Sequence, residues 1–177
     1  VRSRRQRQMC KETDQILYDR VATLTGRPAD PDILIVAIDD ASIDTLGRWP
    51  WRRAIHAALL DRLQGARAVG LDLIFAESDT VNPNDDRILA DSIRRNGHTV
   101  LPIVLDRLAN PSAIAAPIPI LAQAAASSGF INARVDSDGV VREATPATDF
   151  SGERRFHLAL SMLCLLYTSD AADDSLR

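Results

Sequence analysis

Cysteine is scarce in these 177 residues, with Cys10 near one end and Cys164 near the other. So few thiols, without CxxC spacing or a neighbouring histidine, exclude a disulfide framework and a thiolate metal site. Both read as small apolar residues. Histidine is almost as sparse: His56, His98 and His157 never fall at metal-ligand spacing. His56 lies within a helical pattern and is expected at the surface or half-buried. No run approaches the about 18 apolar residues that cross a bilayer, and no signal-peptide core is present. No segment of the chain as given is therefore expected in a membrane. An excess of positive charge is missing too. With 21 Lys and Arg against 24 Asp and Glu, the net charge of −3 argues against a nucleic-acid partner, which calls for a basic stripe. Arg2, Arg4, Arg5 and Arg7 do cluster, but they read as a solvated helix end. The nucleophile elbow GxSxG, the phosphate-cradling P-loop and the dinucleotide fingerprint GxGxxG are all absent. No catalytic residue, cofactor or resident metal is assigned.

What is present is ordinary globular composition, 46% hydrophobic and 25% charged, in a chain long enough to bury a core. Met9, Ile16, Leu17, Val21 and Leu24 recur near a helical period, predicting a helix over about 8–24 that Gly26, Pro28 and Pro31 end. The run ILIVAI, Ile33 to Ile38, is short, continuous and β-branched, as in a strand covered on both faces. Pro50 to Leu63 follows as a helix: proline suits the first position, and Trp51, Ile55, Leu59 and Leu63 recur every four residues. Ala68 to Phe75 (AVGLDLIF) is a second strand, Asp85 to Arg95 a weaker helix stopped by Asn96 and Gly97, and Thr99 to Leu105 a third strand. Two successive strand–helix–strand units imply parallel pairing and right-handed crossovers. The expected class is α/β, with a central, mostly parallel sheet and helices on both faces.

After Asp106 the pattern changes. A loop runs to Pro117, and a short alanine-rich helix over Leu121 to Ser127 follows, with Gly129 placed to cap it. Phe130 to Val135 and Val140 to Glu143 flank Asp136-Ser137-Asp138-Gly139, a hairpin-turn signal because Asp-Gly tolerates positive φ. Phe156 to Leu166 begins an apolar helix. The domain plan is then an amphipathic helix over residues 1–25, one domain over 26–166, and a tail over 167–177. The tail, YTSDAADDSLR, resembles translated adapter sequence; a native acidic, disordered terminus is the other reading.

Chemistry concentrates where IVAIDDASIDTLGRWPWRR turns from strand to helix. Asp39 and Asp40 lie at the carboxyl end of the first strand, where open parallel sheets bind ligands. Asp72 lies inside the second strand and Glu77 just beyond it. Together these four carboxylates could hold a divalent cation or do acid–base work. A plainer reading competes at each position. Asp40 is expected to cap a short helix over Ala41 to Leu46. Asp72, costly if buried alone, is expected to pair with Arg52 or Arg53. Trp49 and Trp51 flank Pro50 and are expected to point in different directions, one to the core and one to a groove. The candidate ligand contacts are therefore Asp39, Asp40, Trp49, Trp51, Arg52, Asp72 and Glu77.

The run DPDILIVAIDDASIDTLGRWPWRRAIHAALLDRL, followed by GARAVGLDLIFAESD, resembles the second type of CHASE domain. The resemblance continues through VLPIVL, PIPILAQAAASSGFINARVDSDGVVRE and FHLALSML, covering roughly residues 14–165 in the family's order. It implies an extracytoplasmic sensory domain of a bacterial membrane receptor, with no catalysis of its own. Flanking transmembrane helices would tether it, and a cytoplasmic cyclase, phosphodiesterase or kinase would provide the output. The expected partners are an unidentified small-molecule ligand and, in a homodimer, a second copy of the chain. This chain departs from the pattern in lacking the anchoring helix, the end of the domain and the output module, and so reads as a fragment. The rival class is a stand-alone metal-dependent hydrolase using Asp39, Asp40 and Asp72. A structural module that only sets dimer geometry is a third reading.

Overall fold

The computed structural model describes residues 4–26, 28–106 and 113–174. Arg2 and residues 107–112 of the expected loop lie outside them. The chain divides into two compact units, Val1–Gly47 and Arg48–Arg177.

In the first unit, helix α1 spans Arg4–Leu24, beginning earlier than its apolar periodicity suggested. The hydroxyls of Thr23 and Thr25 donate to the carbonyls of Asp19 and Val21, four residues back, which satisfies acceptors in its last turns. The run Ile33 to Ile38 is not the strand expected of it. It takes no regular secondary structure and is exposed, with Ile35 at 84%. β-branched residues favour a pleated backbone, but a strand exists only through pairing, and the first unit contains no strand among its described residues. Helix α2, Asp40–Leu46, is capped by Asp39 rather than by Asp40. Asp39 has the extended backbone a cap needs, and its carboxylate accepts from the Ser42 N–H at 2.9 Å and the Ser42 hydroxyl at 2.6 Å. That pairing with Ser42 holds the Asp39 carboxyl below its ordinary range.

The second unit is organised around strand β2, Thr99–Asp106, whose TVLPIVL run is buried on both faces, as a central parallel strand should be. Strand β1 (Val69–Gly70) pairs parallel with its first half, and β3 (Ala113–Ala115) pairs antiparallel with its second. Strand β4, Ser127–Phe130, pairs parallel along the other edge, from Val100↔Ser127 to Ile103↔Phe130. Helix α4 (Pro83–Asn96) joins β1 to β2, giving one parallel strand–helix–strand unit. The other expected unit, starting from Ile33, is not formed. Pairing in the Ala68 to Phe75 stretch stops after Gly70, yet its alternation persists: Val69, Leu71 and Phe75 are buried, Asp72 and Ile74 exposed. The period-2 pleat thus answers the puzzle of Asp72, which points away from the core.

Helix α4 is built as its sequence requires. Pro83 opens it, Asp85 and Asp86 complement the positive helix end, and Gly97 (φ 72°) closes it in the left-handed region. Its Leu89, Ala90 and Ile93 meet Ala57 and Leu60 of α3 (Arg53–Arg62), Leu121 and Ala124 of α5 (Pro119–Ala124), and Val69, Leu71, Phe75 and Leu101. Each fully buried Leu or Ile in this cluster contributes roughly 1.5–3 kcal/mol. The buried face of α3 is His56, Ala57 and Leu60. The expected stripe of Ile55, Leu59 and Leu63 is only half-buried, and Pro50 precedes the helix rather than opening it.

The opposite face of the sheet carries Gly70 and Gly129, and α6 (Leu158–Asp174) lies against both. Gly129 is therefore a strand residue at a helix crossing, not the cap of α5. Helix α6 continues past Leu166 into the residues set aside as a tail. The predicted hairpin forms between β5 (Arg134–Val135) and β6 (Val141–Glu143). A second hairpin, β7 (Ala147–Phe150) with β8 (Glu153–Phe156), was not anticipated. Its turn places Ser151 and Gly152 at positive φ, and Ser-Gly is a weaker hairpin signal than Asp-Gly.

Arg142, buried at 9% side-chain exposure, bridges Asp136 (2.9 Å) and Asp138 (2.6 Å) beneath the first hairpin turn. Hydrogen bonding from Arg142 lowers the Asp138 carboxyl to about 2. A depressed carboxyl stabilises the fold above its unfolded value and loses that contribution as pH falls through the folded one. The hairpin is accordingly expected to hold down to about pH 4 and to loosen between there and about pH 2. Carboxyl NMR shifts check this; an Asp138 that titrates near an ordinary 3.9 would contradict it.

Candidate functional site

The site grows from the RWPWRR stretch. Trp49 precedes a cis Pro50, and Trp51 follows it into the start of α3. The two indoles do not diverge as expected. They meet edge-on, 5.6 Å between centroids at 72°, because both pack on one ring, His56. That imidazole lies 5.7 Å from Trp49 and 6.3 Å from Trp51, and Phe75 closes its far side at 6.0 Å. His56 is only 4% exposed, against the surface or half-buried position its spacing suggested. Trp49 stays 40% exposed and forms the outer edge of this corner. Edge-to-face packing of this kind is worth about 0.5–1.5 kcal/mol per pair beyond area burial.

Two consecutive arginines anchor the corner to α4. Arg52 grips Asp85 with two donors, Nε at 3.1 Å and Nη2 at 3.0 Å, and the Ala54 N–H adds a longer contact at 3.4 Å. Hydrogen bonding from Arg52 outweighs burial and holds the Asp85 carboxyl below its usual range. Arg53 donates to the Asp86 carboxylate and to the backbone carbonyl of Glu77. Its guanidinium carbon sits 5.4 Å above the Phe75 ring. Asp86 also accepts from the Asp79 N–H, and the Asp79 carboxylate accepts from the Val81 and Asn82 amides, folding the turn that leads into α4.

The expected residues therefore sort as follows. Trp49, Trp51 and Arg52 come together at the corner. Asp72 is exposed and pairs with neither arginine; their partners are Asp85 and Asp86. Glu77 contributes its carbonyl and leaves its side chain exposed. Asp39 and Asp40 belong to the first unit, as cap and first residue of α2. Among the described residues no group of three His, Cys, Asp or Glu could hold a metal ion, so nothing supports a metal-dependent hydrolase. The residues missed were His56, Phe75, Asp85 and Asp86. Two adjacent acids behind Pro83 in a helix's first turn were the available signal, but the same pattern also serves the helix dipole. In chemical terms the two acids of α4 at this corner, Asp85 and Asp86, are each held by an arginine. The corner offers an aromatic edge and an exposed guanidinium on a stiff frame.

A family model described as the CHASE2 domain matches residues 2–175. The chain belongs to the CHASE2 family. CHASE2 domains are extracellular sensory domains of signalling receptors and are not catalytic. No similar curated protein and no similar solved structure was found for this CHASE2 chain. No helix among its described residues is long and apolar enough to cross a membrane.

Proposed function

We propose that this CHASE2 domain senses a small-molecule ligand at the corner formed by Trp49, Trp51 and Arg52. It serves a bacterial transmembrane receptor, tethered by flanking membrane helices and acting as a homodimer, whose cytoplasmic output is a cyclase, phosphodiesterase or kinase. The observation that supports this reading is an aromatic edge left open on a frame made rigid by two Arg–Asp pairs. Trp49 exposes 40% of its surface, and the Arg52 side chain exposes 61% while Asp85 fixes its direction. Binding sites combine apolar walls with a few directed polar groups, and this corner has both.

A panel of small metabolites screened by thermal shift tests it. A binder stabilises the folded form by mass action and raises the melting temperature. The same compound should change the tryptophan fluorescence, and Trp49→Ala should abolish both responses. A compound that stabilises wild type and Trp49→Ala equally binds elsewhere and would overturn the assignment.

A further inference from the structure

We propose that His56 makes this corner responsive to pH: on acidification the imidazole takes up a proton, cannot remain a cation between Phe75 and the two indoles, and the tryptophan edge opens. The geometry carries this independently of any small-molecule ligand. His56 and Arg53, three residues apart on α3, address the same Phe75 ring. The imidazole meets it at 6.0 Å and the guanidinium carbon lies 5.4 Å above it. One cation already occupies that ring, and an imidazolium would be a second.

The charged groups around His56 leave it no counter-ion. At the start of α3 these are Arg52, its N-cap, and Arg53. On α4 they are Asp85 and Asp86, each already held by one of the two arginines. The 71–77 segment presents Phe75, directs Asp72 outward, and offers Glu77 only through a carbonyl taken by Arg53. The turn before α4 presents Asp79, whose carboxylate accepts from backbone amides. The influences that act on the His56 imidazole are burial and the charge of Arg53, with no hydrogen bond among them.

Magnitudes decide the direction. Aromatic faces attract a cation only weakly. Burying an unpaired ion costs more than that attraction returns, even after relaxation, and Arg53 adds repulsion. Burial first, then the charge of Arg53, accordingly pushes the His56 imidazole below its ordinary range. The sign follows. A group whose folded value lies below its unfolded one supports the fold when neutral, and that support is lost as pH falls from the unfolded value of about 6.5. The element that yields is the indole pair. Ala57 and Leu60 lock α3 into the core at 2% and 0% exposure, whereas Trp49 stands 40% exposed.

Both tryptophans of the chain lie in this corner, and its two tyrosines, Tyr18 and Tyr167, lie elsewhere in the sequence, so emission excited selectively at tryptophan reports on the corner. The full chain is titrated from about pH 7.5 to about pH 5, above the ordinary carboxylate range, with and without acrylamide. Wild type should show a red-shifted emission and stronger quenching with a midpoint below about 6.5. His56→Gln and His56→Phe, the latter filling the site with an apolar ring, should lose the transition. Imidazole NMR shifts of wild type read the same titration without a variant, and decide the matter if neither variant folds. A flat wild-type profile, the same transition in either folded variant, or a His56 resonance titrating at or above about 6.5 would overturn the proposal.

Discussion

Gly129→Ala is expected to destabilise the second unit by about 3 kcal/mol or more, the upper range for overpacking a close contact. A β-carbon on Gly129 would stand 2.6 Å from the Leu158 Cα, 2.7 Å from the Leu158 nitrogen and 2.9 Å from the His157 carbonyl carbon. All three are backbone atoms, so no rotamer change relieves the overlap. The start of α6 cannot retreat cheaply either. His157 bridges Phe130, its N–H donates to the Pro146 carbonyl at 2.8 Å, and the Ser161 hydroxyl donates to the Ser128 carbonyl at 3.2 Å. Gly70→Ala is the control: its β-carbon would meet the Met162 sulfur at 2.5 Å, the far end of a flexible side chain. That change should cost about 1 kcal/mol, the low end of the overpacking range. Urea unfolding of both variants separates them. If Gly129→Ala proves no worse than Gly70→Ala, the close crossing of β4 and α6 is wrong.

Arg53→Ala is expected to cost about 3–5 kcal/mol, the range for stranding one member of a buried pair. Arg53 and Asp86 are each only 12% exposed at the side chain, so removing the arginine leaves a shielded carboxylate. The Asp79 N–H and the α4 N-terminus compensate part of the loss, which favours the lower end of that range. The variant also loses the stacking over Phe75 and the bond to the Glu77 carbonyl. Lysine should restore little, because a single ammonium cannot reproduce the guanidinium fork or its flat stacking. Arg52→Ala should cost a comparable amount: that side chain is 61% exposed, but the Asp85 carboxylate it would leave is only 2% exposed, with the Ala54 N–H and the α4 N-terminus as its remaining partners. Denaturant curves for the three variants check these values. A change under about 1 kcal/mol for Arg53→Ala, typical of an exposed pair, would mean that the frame of the corner does not depend on Arg53.

These two sites show where sequence reading stopped. The expected pair between Asp72 and Arg52 or Arg53 does not form, although both arginines do hold carboxylates. Asp72 looked like the natural partner because it interrupts an apolar run. The alternation of that run turns it outward, and the acids that pair with the arginines lie 33 residues further on, in the first turn of α4. His56 was misplaced for a related reason. A helical period marks one face as apolar, and a histidine beside it reads as surface until three aromatic rings from separate positions close around it.

Determined by sequence alone were the features that depend on covalent neighbours. Gly97 closes α4, the TVLPIVL run is a doubly covered strand, and Asp-Gly turns the first hairpin. The resemblance to the CHASE2 family rests instead on particular residues, the combination IDD…LGRWPW…GLDLIFAE and the segments that follow it. Tertiary structure alone decided which strands find partners, since ILIVAI and AVGLDLIF carry similar β preference, yet only Val69 and Gly70 of the two runs are paired. It also decided that Gly129 serves a helix crossing and that Arg53 meets Asp86. Propensity is a property of a residue and its neighbours, whereas pairing and burial belong to two segments at once, so they appear only when the chain has brought both together.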